Sequence, residues 1–250
     1  MASPTRTRLD QYLQEQGRYP SRSRARDAVA RGCVQVNGQV CLRHSQPVGP
    51  DDVIVIEDAA AAYVSRAALK LKEAIAQTGY SPAGRIALDI GASTGGFTQV
   101  LLEHGARQVL ALDVGHDQLA DGLRDDPRVR NIEGVNARDL TTDHLGGEAP
   151  QFLVSDVSFI SLKLALPPAL HLAAPGAQGI FLVKPQFEVG RELVAKGGIV
   201  RDEAAAKASA ENLFNWLGSM DGWKGVQLMP SPITGGDGNR EWLIAGMKRL

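Results

Sequence analysis

The stretch that decides the fold runs Ile86-Ala87-Leu88-Asp89-Ile90-Gly91-Ala92-Ser93-Thr94-Gly95-Gly96-Phe97-Thr98-Gln99-Val100-Leu101-Leu102. Its first five residues are apolar apart from one acid, the pattern of a buried strand. Gly91, Gly95 and Gly96 follow, after which Phe97, Val100 and Leu101 recur at helical spacing. Strand, glycine turn and helix start in that order predict a nucleotide-type ligand site. Glycine lets the backbone approach a ligand, and a helix start offers unpaired N–H groups. A glycine-rich turn without a ligand is the plainer alternative.

Spacing narrows the ligand. A pyrophosphate-binding turn has G-x-G-x-x-G, whereas this one has Asp-x-Gly-x-x-x-Gly-Gly, with an acid at the strand end. The acid repels a pyrophosphate and suits a ligand with a positive charge and an α-amino group; S-adenosylmethionine has both. Asp113 ends the next apolar run, Val109 to Leu112, where an acid can accept both hydroxyls of an adenosine ribose. The expected cofactor contacts here are therefore Asp89, Gly91, Ser93, Gly95, Gly96, Phe97 and Asp113. A dehydrogenase is disfavoured by the same spacing.

At 250 residues, 44% of them apolar, the chain has room for one large domain and a small one. The net charge is −1, but it is unevenly spread. Between Arg6 and Arg43 lie eight arginines and three acids, a basic patch of the kind that meets a polyanion. The two cysteines, Cys33 and Cys41, form no CxxC and accompany no histidine cluster, so neither a metal site nor a disulfide framework is indicated. No apolar run approaches a membrane span, and the N-terminus is not signal-like. A reduced, cytoplasmic protein with no membrane partner is the expectation.

Residues 1–7 read as a frayed end. Leu9 to Glu15 reads as a short helix, and Ser21 or Ser23 caps a second one that Gly32 ends. Cys33 to Val40 alternates and turns at Asn37-Gly38, a hairpin signal, and Val53 to Ile56 is a further strand. The pattern R-L-D-x-x-L, S-R-x-x-A, G-x-V-x-V-N-G and D-x-I resembles the S4-type RNA-binding domain. The resemblance implies a small α+β domain over 1–58 whose Arg8, Ser21, Arg22, Arg24 and Arg26 contact structured RNA. Asp58 to Tyr63 is the best boundary, with 59–64 as a linker. Its alanines favour helix, so a short, stiff connection is expected. Ser65 then caps a helix through Ile75 that Gly79 and Pro82 end.

From Ile86 onward strand and helix alternate, the α/β signature. Strands are expected at 86–90, 108–113, 129–133, 152–156, 179–183, 223–229 and 241–247. Helices are expected at 95–104, 117–123, 161–173 (interrupted by Pro167-Pro168) and 202–217, with Asp202 as N-cap. The last two strands, joined through Gly235-Gly236-Asp237-Gly238, pair as a hairpin. Seven strands with a terminal hairpin match the class I (Rossmann-like) methyltransferase sheet, over a domain of 65–250.

Ligands of open α/β sheets collect at the carboxyl ends of strands. Those ends carry Asp89 and Gly91, Asp113, Asn136, Asp156 and Lys184. A lysine closing an apolar strand is costly to bury unless paired, which marks Lys184 as functional. Asp156-Val157-Ser158-Phe159 lacks the Pro-Pro of enzymes that methylate base amines, and no cysteine lies nearby for cytosine C5 chemistry. A lysine with carboxylates suits a hydroxyl acceptor.

Lys70 in Ser65-Arg66-Ala67-Ala68-Leu69-Lys70-Leu71, Asp156, Lys184 in Val183-Lys184-Pro185 and Glu241 in Asn239-Arg240-Glu241 resemble the Lys-Asp-Lys-Glu set of FtsJ-type ribose 2′-O-methyltransferases. With the S4-type domain ahead of it, nearly the whole chain resembles the TlyA family, often labelled hemolysin-like. Val194 to Arg201 is similar to that family's glycine loop, and Lys196 and Arg201 within it are further candidate RNA contacts. Related sequences often have two glycines where Ala67-Ala68 stand, which leaves Lys72 as a competitor for Lys70. A surface acid on an edge strand is the alternative for Glu241.

The resemblance implies attack of a ribose 2′-oxygen on the methyl of S-adenosylmethionine. Lys184, desolvated and next to Lys70, acts as base or orients the hydroxyl, and Asp156 and Glu241 fix the lysines. Asp113 takes the ribose hydroxyls of the cofactor, Asn136 or Asp139 lies near the adenine, and Asp156 borders both ligands. The substrate it implies is ribosomal RNA within ribosomal subunits: a cytidine in the small subunit, with the large subunit as a second target. Two rivals stand beside it. One is an RNA-binding ribosome-assembly factor with an inert methyltransferase fold, and the other is a membrane-active hemolysin.

Overall fold

The structure, a computed structural model, describes residues 6–250. The chain divides after Ala62 into two compact units.

The first unit opens with β1 (Thr7–Arg8), α1 (Leu9–Glu15) and α2 (Arg22–Ala30). Ser21 caps α2: its hydroxyl accepts the Arg24 N–H at 3.3 Å. β2 (Val34–Val36), β3 (Gln39–Val40), β4 (Pro47–Val48) and β5 (Ile54–Ile56) follow. The β2–β3 turn has Asn37 at φ 52° and Gly38 at φ 78°. Two consecutive left-handed residues match the twist of the flanking strands, which is why Asn-Gly marks the hairpin. β5 pairs with β2 antiparallel, and β1 pairs with β4. Thr7 therefore belongs to a strand rather than to a frayed end; the rest of that expected end lies largely outside the described residues. Leu9, Leu13, Ala25, Ala28, Val29, Val34 and Val48 fill the core, the helical residues among them at spacings of three and four.

The linker departs from its alanine propensity. Residues 59–62 form turns, because the Asp58 carboxylate accepts the Ala60 N–H at 2.9 Å and the Asp58 carbonyl accepts the Ala61 N–H at 3.0 Å. The same carboxylate takes the Tyr19 hydroxyl at 3.0 Å and both outer nitrogens of Arg31 at 2.8 and 2.9 Å. Five donors on one acid outweigh a weak helix preference.

The second unit begins with α3 (Ala68–Thr78). Ser65 does not cap it; its hydroxyl accepts the Ala67 N–H one turn earlier, and the helix starts three residues on. Gly79, at φ 67°, closes it. Then come β6 (Ile86–Ile90), α4 (Gly96–Glu103), β7 (Gln108–Asp113), α5 (Asp121–Arg124), β8 (Val129–Glu133) and β9 (Phe152–Ser155). α5 is shorter than expected because Asp117 is left-handed, at φ 53°, and cannot sit inside a helix. The helix expected over 161–173 is two, α6 (Leu162–Ala165) and α7 (Pro167–Leu172), since a proline has no N–H to continue the first. β10 (Gln178–Val183), a short β11–β12 hairpin (Val194–Ala195, Ile199–Val200), α8 (Glu203–Ser219), β13 (Trp223–Pro230) and β14 (Trp242–Lys248) complete the unit. Asp202 caps α8 by accepting two N–H groups.

The seven strands lie in the order β13-β14-β10-β9-β6-β7-β8. β14 is antiparallel to both neighbours, and the pairs from β10 to β8 are parallel. Period two splits β6 between two cores. Ile86, Leu88 and Ile90 pack with α6, α7 and α8, whereas Ala87 faces α3 and α4. Asp89 shares the Ala87 face, so its side chain runs under the start of α4 instead of into solvent. All five residues of β6 are buried, as a central parallel strand requires.

Candidate functional site

The carboxyl ends of β6, β7, β9 and β10 form one edge, and the site is built there. After β6 the chain turns back at Gly91, φ 83°, where the Gly91 and Ala92 N–H groups both donate to the Leu112 carbonyl, at 2.8 and 3.0 Å. A Cβ on Gly91 would stand 3.0 Å from Val157 and 3.1 Å from the Asp156 carbonyl, so the turn needs glycine on two counts. Gly95, φ 96°, needs it too, because Leu119 and Leu123 fill the space a side chain would take.

Asp89 is wholly buried, and its Oδ2 accepts the Thr98 hydroxyl at 2.7 Å. Its Oδ1 has no hydrogen-bond partner among the described residues. Burial, with the nearby charges of Asp156 and Asp113, pushes the carboxyl up to about 7 against the hydrogen bond from Thr98. Asp113 is held differently: Oδ2 accepts the Ser93 N–H and Oδ1 the Gly115 N–H, both at 2.8 Å. Each oxygen keeps a lone pair for a further donor.

A cavity of about 940 Å³ runs along this edge. Asp113, Val114, Gln118 and Asn136 line it, as do Asp156, Ser158, Phe159, Phe187 and Arg191. A smaller one of about 150 Å³ is lined by Ser65, Ser93, Gly96, Phe97 and Lys184. Gly91, Ser93, Asp156 and Ser158 line both. Asn136 spends its carbonyl oxygen on the Arg138 backbone N–H at 3.1 Å, capping a turn of 3₁₀ helix. Asp139, the alternative to it, lines neither cavity.

The four residues of the Lys-Asp-Lys-Glu set form two ion pairs. Lys184 Nζ lies 2.7 Å from Asp156 Oδ1 and donates to the Ser158 hydroxyl at 2.7 Å. Lys70 Nζ donates to Glu241 Oε2 at 2.5 Å, with both residues about 5% exposed or less. Glu241 is thus no surface acid. Burial pushes its carboxyl up, and the charge of Lys70 pulls it back. Each lysine has a carboxylate partner of its own, and the charges of both lysines and of Asp156 act on the Glu241 carboxyl. Lys72, one helical step away, turns to the Tyr63 hydroxyl at 3.2 Å and stacks over that ring.

Three contributors were not anticipated. Ser158, two residues past the strand-end acid, is the second partner of Lys184. Glu188 ties the loop after β10 to the loop after β9, its carboxylate accepting the Ser161 hydroxyl at 2.6 Å and the Leu162 N–H at 2.8 Å. Burial pushes this carboxyl up, against those two hydrogen bonds. Asn239 is buried and binds the β11–β12 hairpin, donating to the Gly198 carbonyl at 2.8 Å and accepting the Val200 N–H at 2.9 Å. Lys196 is exposed at that hairpin's tip and Arg201 just beyond it; neither lines the two cavities.

In the first unit, Arg8 and Arg22 are half-exposed yet share the buried Asp10, at 3.0 and 3.2 Å. Burial raises the Asp10 carboxyl, but the hydrogen bonds from the two arginines outweigh it and hold the group at about 2. Arg24 donates to the Ala60 carbonyl at 3.1 Å, and Arg26 is exposed. Ser21 is engaged as the cap of α2.

The model of the FtsJ-like methyltransferase family matches residues 63–248, and that of the S4 domain matches residues 7–54. The TlyA protein of Mycobacterium tuberculosis, a 16S/23S rRNA (cytidine-2′-O)-methyltransferase, is 40% identical over 96% of this chain and 89% of its own. The chain belongs to the TlyA family of FtsJ-like methyltransferases. A second relative, Hemolysin A of Brachyspira hyodysenteriae, is 43% identical over 94% of this chain and 98% of its own. A solved structure described as a hemolysin from Streptococcus thermophilus is 37% identical, covers 99% of this chain and 90% of its own, and superposes with a TM-score of 0.76. Among the described residues no helix is long and apolar enough to cross a membrane.

Proposed function

We propose that the protein transfers a methyl group from S-adenosylmethionine to the ribose 2′-oxygen of ribosomal RNA, at a cytidine within the ribosomal subunits, in the cytoplasm. The observation that carries this reading is Lys184, held between Asp156 and Ser158 at 2.7 Å each, where two cavities meet. A fixed cation beside a carboxylate suits a hydroxyl acceptor, and the name of the Mycobacterium relative supplies the nucleotide.

The residues fit the cofactor. A turn with no room for a Cβ and an acid with spare lone pairs are what a close-lying ligand and a ribose require. Gly91, Ser93, Gly96 and Phe97 would hold its amino-acid end, Asp113 its ribose, and Asn136 its adenine, with Asp89 and Gly95, which line neither cavity, shaping the turn beneath. When bound, S-adenosylmethionine supplies an electrophilic methyl on a sulfonium, already a good leaving group.

The rest falls to the side chains. Lys184 orients the 2′-hydroxyl and holds or accepts its proton; Asp156 keeps Lys184 in place and the local charge near neutral. Glu241 keeps Lys70 in place in the same way, completing the set of four. Phe159 is 90% exposed, and its ring lies 5.2 Å from that of Phe187, so an aromatic face is available to an unstacked base. Arg8, Ser21, Arg22, Arg24 and Arg26 of the S4 domain, with Lys196 and Arg201, would meet the RNA backbone. For Ser21 this contact falls to the parts of the residue that capping leaves free.

The test is methyl transfer from labelled cofactor to isolated ribosomal subunits, followed by mapping of the position that resists alkaline cleavage. Label at a ribose 2′-oxygen is the expected result. Label on a base, or RNA binding with no label on any subunit, overturns the reading.

A further inference from the structure

We propose that Ser158 is a positioning residue of the transfer reaction, setting the direction of the Lys184 head group rather than touching the reacting atoms. The proposal rests on the 2′-O-methyl transfer reading above.

A lysine nitrogen is tetrahedral: one vertex is its own carbon and three remain. The Ser158 hydroxyl accepts from one of those three at 2.7 Å, whereas Asp156 Oδ1, also 2.7 Å away, forms an ion pair but accepts no hydrogen bond. With one N–H anchored to Ser158, rotation about the Cε–Nζ bond is set, and the vertex left to face the cavity is fixed in space. With the Asp156 ion pair alone, which sets no N–H direction, the head group rotates about the Cε–Nζ bond and that vertex sweeps a cone. Lys184, Asp156 and Ser158 all line the small cavity, so the fixed vertex serves an acceptor that enters there.

The backbone is held to suit this arrangement. Phe159, next to Ser158, sits at φ 65°, a conformation a bulky side chain adopts only under restraint. The restraint is Glu188, whose carboxylate takes the Ser161 hydroxyl and the Leu162 N–H and so straps the far end of the same loop. Strain kept in a loop that carries an exposed hydroxyl to a lysine marks a placement that the fold enforces.

The experiment uses the full chain with isolated ribosomal subunits and labelled cofactor, comparing wild type, Ser158→Ala and Ser158→Thr. Loss of a hydrogen bond to a charged group predicts that kcat falls about 10- to 100-fold in S158A. KM for subunits and the calorimetric Kd for S-adenosylmethionine stay at wild-type values, and S158T, which keeps the hydroxyl, recovers most of the rate. An active wild type matched by S158A overturns the proposal alone. So does a loss of cofactor affinity that tracks the loss of rate, or an S158T as slow as S158A. A wild type that moves no methyl to any subunit overturns the functional reading, and the proposal with it.

Discussion

Replacing Glu241 by alanine strands a charge that the fold has buried. Lys70 is 5% exposed, and its described partner is the Glu241 carboxylate 2.5 Å away. Breaking a buried pair by removing one member costs about 3–5 kcal/mol, because the remaining charge has neither water nor a partner. At about 2–4 °C per kcal/mol for a domain of this size, E241A should melt roughly 6–20 °C below wild type. The double variant Lys70→Met, Glu241→Leu removes both charges and keeps the volume, so it should regain most of that loss. Calorimetry of the three proteins, with methyl transfer measured well below each melting point, separates post from participant. A double variant that is stable but slow assigns the pair a role in the reaction; one that is stable and fast makes it a structural post. An E241A that melts with wild type refutes the buried-charge reasoning.

Three further outcomes follow from the electrostatics and the turn. Asp89 is raised to about 7 from an ordinary carboxylate value, so its contribution to stability is full below about pH 4 and is lost as pH rises through 7. Thermal scans should therefore find the gain of Asp89→Asn over wild type largest at pH 8, smaller at pH 5 and absent below about pH 4. Asp10 is held at about 2, so its contribution is present above pH 4 and lost as pH falls through 2. With its partners half-exposed, Asp10→Asn should cost the first unit about 1–2 kcal/mol at pH 7 and little at pH 2, read by denaturant titration. Gly91→Ala forces a side chain against Val157 and the Asp156 carbonyl in a left-handed turn. Thermal scans should show the second unit destabilised by roughly 1–2 kcal/mol for the left-handed residue alone, with or without cofactor.

The alternation of strand and helix, the glycine turn and the strand-end acids could be read from the chain because each depends on neighbours within a few positions. The same short range explains the Asn37-Gly38 hairpin and the Asp202 cap. Local reading failed where a side chain competes with backbone propensity. Asp58 turned an alanine run into turns, and a left-handed Asp117 delayed α5. The pairing inside the site was out of reach for another reason. Lys70 and Glu241 are 171 positions apart and Lys184 and Ser158 are 26 apart, separations that no periodicity encodes. Resemblance names Lys70, Asp156, Lys184 and Glu241 as a set; the sheet brings Lys184 and Glu241 to one end, with Val183 opposite Trp242, and α3 brings Lys70 to Glu241. Ser158 stood in a quoted motif, but a hydroxyl past a strand end has no signal of its own until a lysine is seen against it.

The most direct test of the central claim is single-turnover methyl transfer to ribosomal subunits by wild type and Lys184→Ala, with the modified position mapped by its resistance to alkaline cleavage. The account predicts a methyl on one ribose 2′-oxygen with wild type. It predicts loss of that transfer in K184A at unchanged cofactor affinity. Transfer by K184A at the wild-type rate, or a methyl found on a base, would contradict it.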